Sequence, residues 1–164
     1  MSTPEQRTSG ARLFYPIAVE PPELPAVKQL DGSHQSQLES LLVSLDEASR
    51  VARFNSWTSD AQLRSHAEQA LSRSPWIGGA FIDEQLRGVV EVHRYGDLGF
   101  AEAAFAVEPQ WRRRGIGTLL LHAAMDWCRK AGPPMLRMVF CRSNLPMRSS
   151  SPRRRRSSIW RSTR

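Results

Sequence analysis

Arg112-Arg113-Arg114-Gly115-Ile116-Gly117 stands between two apolar segments of different period, and few architectures accept that order. Upstream, Phe100 to Val107 alternates and is closed by Glu108-Pro109. Downstream, Thr118 to Cys128 is a strongly apolar run. The pattern predicts a strand, a Gly/Arg loop and a helix. Free main-chain N–H groups then gather at a helix N-terminus, which carries a partial positive charge and suits a phosphate group. Two glycines let the backbone approach a ligand closely, and guanidinium forks supply charge-assisted bonds to phosphate oxygens. The chemistry points to a pyrophosphate binder.

Spacing narrows the ligand. A dinucleotide-binding loop would place a third glycine where Leu120 stands. A nucleotide P-loop would need Gly-Lys-Ser/Thr, and the only lysines are Lys28 and Lys130. What remains resembles the coenzyme A loop of the GNAT superfamily of N-acetyltransferases: Gln or Arg, two variable residues, Gly, one variable residue, then Gly or Ala. Arg112, Gly115 and Gly117 fill that signature, with Trp111 and Leu119 to Leu121 similar to its neighbours. Ala101 to Val107 resembles the family's fourth strand, and Ser143 to Met147 the entry to its last helix. Ser44 to Phe54 is similar to the helical entry of protein-lysine acetyltransferase domains of the superfamily.

The resemblance implies an α/β fold, a mixed, mostly antiparallel sheet flanked by helices. It implies acetyl-coenzyme A as co-substrate, with no metal, and direct attack by an amine within a ternary complex. The pyrophosphate would meet Arg112, Arg113, Arg114, Gly115, Ile116, Gly117 and Thr118. Main-chain groups near Ala106 and Val107, with Asn144, would hold the pantetheine arm. Glu102 corresponds to the strand-four glutamate that serves as base in many relatives. The acceptor would be a protein lysine or a small-molecule amine.

The rest of the chain supplies the elements around this loop. Residues 1–23 contain Pro4, Pro16, Pro21 and Pro22 and read as a loose extension, with the acetyltransferase-like domain over 24–147. Ala26 to Leu30 reads as a strand. Ser33 is expected to cap a helix bearing Leu38, Leu41, Leu42 and Leu45 at i, i+3, i+4 and i+7. A further turn or two follows from Asp46 to Phe54, and Ser59 with Gln62 forms a capping box for a helix with Leu63, Ala67, Ala70 and Leu71 on one face. Trp76 to Ile82 and Leu86 to Arg94 predict a hairpin around Asp83-Glu84-Gln85. Met135 to Cys141 completes the strands after Gly132-Pro133-Pro134 stops the helix.

An attacking amine must first lose a proton, because an ammonium cannot attack a thioester. If the turn at Gly96–Gly99 centres between Asp97 and Leu98, His93 lies opposite Glu102 and Glu91 opposite Ala104. Alternation then sets Glu91, His93 and Glu102 on one face, with Val90, Val92, Phe105 and Val107 on the other. A cleft lined by this trio would suit the reaction; for Glu91 and His93 the plainer expectation is a wet face. His122 shares a solvated stripe with Asp126, Arg129 and Lys130, and His34 and His66 read as isolated.

Charge is concentrated at one end. The last acid is Asp126, and residues 142–164 hold eight arginines. Against a net charge of +7 for all 164 residues, this leaves residues 1–141 at −1. No apolar run approaches membrane-spanning length, the N-terminus lacks a signal-peptide core, and two cysteines make no disulfide framework, so the expected location is the cytoplasm. After Met147 the resemblance ends in an Arg/Ser-rich tail, 148–164, expected to be disordered, with the family's C-terminal helix and last strands missing. Such a tail reads as the product of a shifted reading frame or a truncation. It would leave a strand edge open to dimerisation or aggregation. The alternatives are a catalytically impaired coenzyme A-binding protein, or nucleic-acid binding through the arginines; nucleic acid is not the expected partner.

Overall fold

A computed structural model describes residues 25–96 and 99–138, together with the backbone of 159–161. Strands β1 (Ala26–Gln29), β2 (Trp76–Ile82), β3 (Gln85–Tyr95), β4 (Phe100–Val107), β5 (Met135–Met138) and β6 (Ile159–Arg161) form one sheet in that order. Every neighbouring pair is antiparallel except β4 and β5. Parallel neighbours require a crossover, which helix α4 (Ile116–Ala131) provides. Helices α1 (Gln35–Val43), α2 (Glu47–Phe54) and α3 (Asp60–Arg73) all lie between β1 and β2 in the chain.

The sheet is buried on both faces. On one, Leu38, Leu41 and Leu42 of α1 and Leu63 and Ala67 of α3 pack over Ile77, Phe81 and Val89. On the other, Ile116, Leu120, Ala124 and Cys128 of α4 pack over Val90, Val92, Ala101 and Ala103. Alternation along β3 thus sends Val89 and Glu91 to the α1/α3 side and Val90 and Val92 to α4. Gly88 marks the closest approach: a Cβ there would stand 2.8 Å from the Ile116 side chain. The missing side chain lets the first turn of α4 settle onto β3, which fixes where the preceding loop sits.

Local chemistry sets the ends. The Ser59–Gln62 capping box forms as expected. At α1 the cap differs from expectation: Asp31, not Ser33, closes a capping box with His34 around a short 3-10 turn, and α1 follows from Gln35. The aspartate competes better because its carboxylate accepts from both Ser33 N–H and Ser33 O–H. The β2–β3 turn is two residues, Asp83 and Glu84, both at positive φ (50° and 60°). That is the left-handed pair a tight hairpin turn requires.

Residues 139–141 of the expected fifth strand, Ser143–Met147 with Asn144, and most of the tail lie outside the described residues. Within the segment expected to be wholly disordered, Ile159–Arg161 pairs antiparallel with β5, Leu136 opposite Trp160. The outer side of β5 is therefore paired along this stretch, where an open edge was expected. Strand propensity of Ile159-Trp160 explains the pairing.

Candidate active site

The loop between β4 and α4 is built to keep donors free. Pro109–Trp111 makes a 3-10 turn, Arg113 takes φ +63° and Gly115 takes φ +83° as the N-cap of α4. Glycine holds that left-handed position without a Cβ penalty. No side chain caps the helix, and its first main-chain bond runs from Leu119 N–H to Gly115 C=O. The N–H groups of Ile116, Gly117 and Thr118 precede it. The Ile116 side chain is buried against Gly88, so only its backbone faces the loop, while Thr118 is exposed. A Cβ on Gly115 or Gly117 would meet no atom within 4 Å.

The three arginines diverge. Arg112 turns away from the helix terminus: its Nε donates to Val107 C=O (3.3 Å), Nη1 to Asp46 Oδ2 (3.0 Å) and Nη2 to Ser49 Oγ (2.5 Å). The Arg114 guanidinium lies over the Trp111 ring at 4.6 Å, and that of Arg87 over the same ring at 5.0 Å. Arg87 also donates to Glu108 at 2.9 Å. Arg113 and Arg114 are exposed, and Arg113 has no ion pair among the described residues. Two cationic side chains thus remain beside the uncapped N-terminus.

On the sheet, register pairs His93 with Glu102 and Glu91 with Ala104, as the turn geometry predicted. Glu102 faces Arg137 across the parallel pair and accepts from its Nε (2.9 Å) and Nη2 (2.5 Å), both at Oε2. That leaves Oε1 of Glu102 outside the pair. Glu91 departs from the expected wet face: it is fully buried, because Arg53 of α2 and His66 of α3 cover it. Arg53 Nη2 lies 2.6 Å from Oε1, His66 Nε2 is 3.0 Å from both oxygens, and His93 Nε2 is 3.6 Å from Oε2. Burial pushes this carboxyl up, but Arg53, helped by the two imidazoles, outweighs it and holds Glu91 well below the usual carboxylate range. The Arg53 Nε is buried without an acceptor. Glu91 is thus locked as an anion and unsuited to take a proton.

His66 and His34 are not isolated. His66 packs edge-on against Phe54 (5.0 Å) beside Glu91, and His34 bonds Asp31 at 2.8 Å. His122 sits in the solvated stripe as expected. Burial pushes the Cys128 thiol up to about 11, which makes it a packing group. Among the described residues, no group of three or more His, Cys, Asp or Glu could hold a metal ion, and no helix is long and apolar enough to cross a membrane. Ala106 is buried against the α1/α3 layer, and Val107 already gives its carbonyl to Arg112. Sequence reasoning missed Arg53, Arg137, Asp46 and Ser49. The available signal was Glu91 itself, a lone carboxylate inside the apolar run Val89-Val90-Glu91-Val92, which demands a buried partner.

A helix crossing from β4 to a parallel β5, entered through a Gly/Arg loop with a bare N-terminus, sets an anion-ready helix end beside the one parallel seam among the described strands. The chain belongs to the Acetyltransferase (GNAT) family, whose model matches residues 40–148. Members of this family transfer an acetyl group from acetyl-coenzyme A to an amine. The fold is similar to the GNAT domain of S. lividans PAT (17% identity, 82% of this chain and 86% of that one, TM-score 0.67). It is also similar to the PaiA N-acetyltransferase of Thermoplasma acidophilum in complex with coenzyme A (19%, 76% and 84%, TM-score 0.58). A third similar structure is the aminoglycoside N-acetyltransferase AAC(6')-Iy in complex with CoA (16%, 81% and 87%, TM-score 0.61). Curated protein sequences give no significant match.

Proposed function

We propose that residues 24–147 form an N-acetyltransferase domain that moves the acetyl group of acetyl-coenzyme A to a primary amine. The observation that carries this reading is Gly117. Its φ is ordinary, and a Cβ there would touch nothing in the protein. Glycine in a helix costs about 1 kcal/mol relative to alanine, so the fold gains nothing from it. A ligand lying on the first turn of α4 would. The pyrophosphate then meets the N–H groups of Ile116, Gly117 and Thr118, with Arg113 and Arg114 as counter-charges.

Glu102 is the group assigned to take the proton from the acceptor ammonium. The neutral amine attacks the thioester carbonyl and the C–N bond forms. The C–S bond breaks with its electron pair going to sulfur, which is then protonated, and the nitrogen gives up its second proton. The Arg137 guanidinium occupies Oε2 of Glu102, and that contact favours one second assignment. In it His93, opposite Glu102 on β3, receives the proton. Protein lysine is the preferred acceptor, on the likeness of Ser44–Phe54 to protein-lysine acetyltransferase domains, ahead of a small-molecule amine. The cytoplasm is the assigned location, and nucleic acid is not an assigned partner.

Gly117→Asp tests the coenzyme site with opposite signs. A carboxylate in the first turn of α4 complements the helix dipole and should leave stability unchanged or raised by about 0.3–1 kcal/mol. The same charge sits where pyrophosphate must lie, so calorimetric titration with coenzyme A should show affinity collapsing. Undiminished binding in this variant would sink the acetyl-transfer reading.

A further inference from the structure

Arg112 belongs to the loop signature, yet its side chain is fully engaged elsewhere. All three guanidinium nitrogens have acceptors, and two of these, Asp46 and Ser49, lie 66 and 63 residues away at the start of α2. Asp46 divides its carboxylate between two tasks. Oδ1 caps α2, accepting from Ser49 N–H (2.8 Å) and Ser49 O–H (2.5 Å), while Oδ2 takes Arg112. Hydrogen bonding to Ser49, aided by Arg112, holds the Asp46 carboxyl below its usual value. The ion pair is well exposed, 37% and 48% for the two side chains, and exposed pairs contribute little to stability. Its effect is on geometry: it fixes the loop three residues before Gly115.

Helix α2 is held in an unusual way. None of its residues is buried. Its N-terminus is tied to Arg112, and at its other end Arg53 reaches Glu91, opposite Ala104 on the face that carries Glu102. The helix therefore connects the pyrophosphate loop to the face where an acceptor would meet the thioester.

We propose that Asp46 and Ser49 are positioning residues of the pyrophosphate loop, acting through Arg112, and that they couple occupancy of that loop to helix α2 and the acceptor face. This rests on the acetyl-transfer reading. Arg112 then never touches phosphate; it sets the conformation in which the main-chain donors of Ile116 to Thr118, with Arg113 and Arg114, receive it. Coupling of this kind is reciprocal, so ordering α2 tightens coenzyme binding as much as coenzyme orders α2.

The test uses the full chain and coenzyme A as probe. Asp46→Ser keeps a good N-cap for α2 but removes the partner of Arg112. It should weaken coenzyme A binding by about tenfold, within the usual range of coupling between sites, with thermal unfolding nearly unchanged. Arg112→Met should weaken binding to the same extent, and Asp46→Ser with Arg112→Met no further, because both remove one device. Hydrogen exchange of the α2 amides should slow on saturation with coenzyme A in the unaltered chain and not in Asp46→Ser. Pantetheine, which lacks the pyrophosphate, should bind all variants alike. Additive losses, or a loss for Arg112→Met far exceeding that for Asp46→Ser, would mean that Arg112 meets the phosphate itself and would overturn the proposal. So would coenzyme A binding that leaves α2 exchange unchanged. If the unaltered chain binds no coenzyme A, the proposal and the acetyl-transfer reading fall together.

Discussion

A carboxylate enclosed as fully as Glu91 survives only because Arg53 and His66 accompany it into the sheet. Removing one partner leaves the other charged and dry. Glu91→Gln should lower unfolding free energy by about 3–5 kcal/mol, whereas Glu91→Leu combined with Arg53→Met should recover most of that loss; urea unfolding at pH 7 distinguishes the two. The pH dependence has a definite sign. With the folded carboxyl held low, the unfolded chain takes up the proton first, so this stabilisation is complete above the ordinary carboxylate range. It is lost as pH falls from about 5 toward the lower folded value. The double variant should show a flatter decline below pH 5. Glu102→Gln, at the exposed end of the same face, should instead leave folding intact and reduce kcat by roughly 10²–10⁴, with the loss shrinking at high pH where more amine is already neutral. Near-normal turnover would move the proton-accepting role to His93. The pairing of His93 with Glu102 was legible because strand alternation and one turn determine it. Burial of Glu91 was not, since its partners come from α2 and α3, and no local pattern announces a contact across 25 residues or more.

At the level of elements, periodicity and punctuation were sufficient wherever a helix or strand has an apolar face. β2, β4 and α3 fall where sequence patterns put them, because alternation and the Ser59–Gln62 box are local signals. Helix α2 buries no residue fully: Phe54 packs against the α1/α3 core, and polar side chains supply the other holds. Arg50 does much of that: it donates to the carbonyls of Val43 (2.7 Å), Leu45 (2.9 Å) and Thr58 (3.2 Å) and pairs with Asp60 at 2.7 Å. One guanidinium therefore gathers the end of α1, the α2–α3 connection and the start of α3. Arg50→Met leaves those carbonyls without their donor, a cost of about 1–3 kcal/mol for buried groups. Amide exchange should accelerate across residues 43–60 while β2, β3 and α4 stay protected, because local opening follows the segments with least apolar burial. Uniform acceleration over the whole chain would contradict this division.

For the molecule as a whole, the pairing of β6 covers one edge of β5. Residues 159–161 pair with β5 along three register positions. Removing residues 159–164 should free that edge and promote association between copies, seen as concentration-dependent light scattering at low micromolar protein; a strictly monomeric deletion variant would show that β5 needs no cover. This pairing was illegible in the sequence because Ile159-Trp160-Arg161 is too short to show an alternating period.

Trp111, finally, gives the site its own optical reporter. Its indole lies beneath the guanidiniums of Arg87 and Arg114, next to the turn where pyrophosphate is expected, while Trp76 and Trp127 stack on each other in the core at 6.1 Å. A guanidinium drawn from a ring face toward an anion changes the field that the ring emits into. Coenzyme A, which does not itself emit in the indole region, should therefore shift the emission of this chain and leave that of Trp111→Phe unmoved.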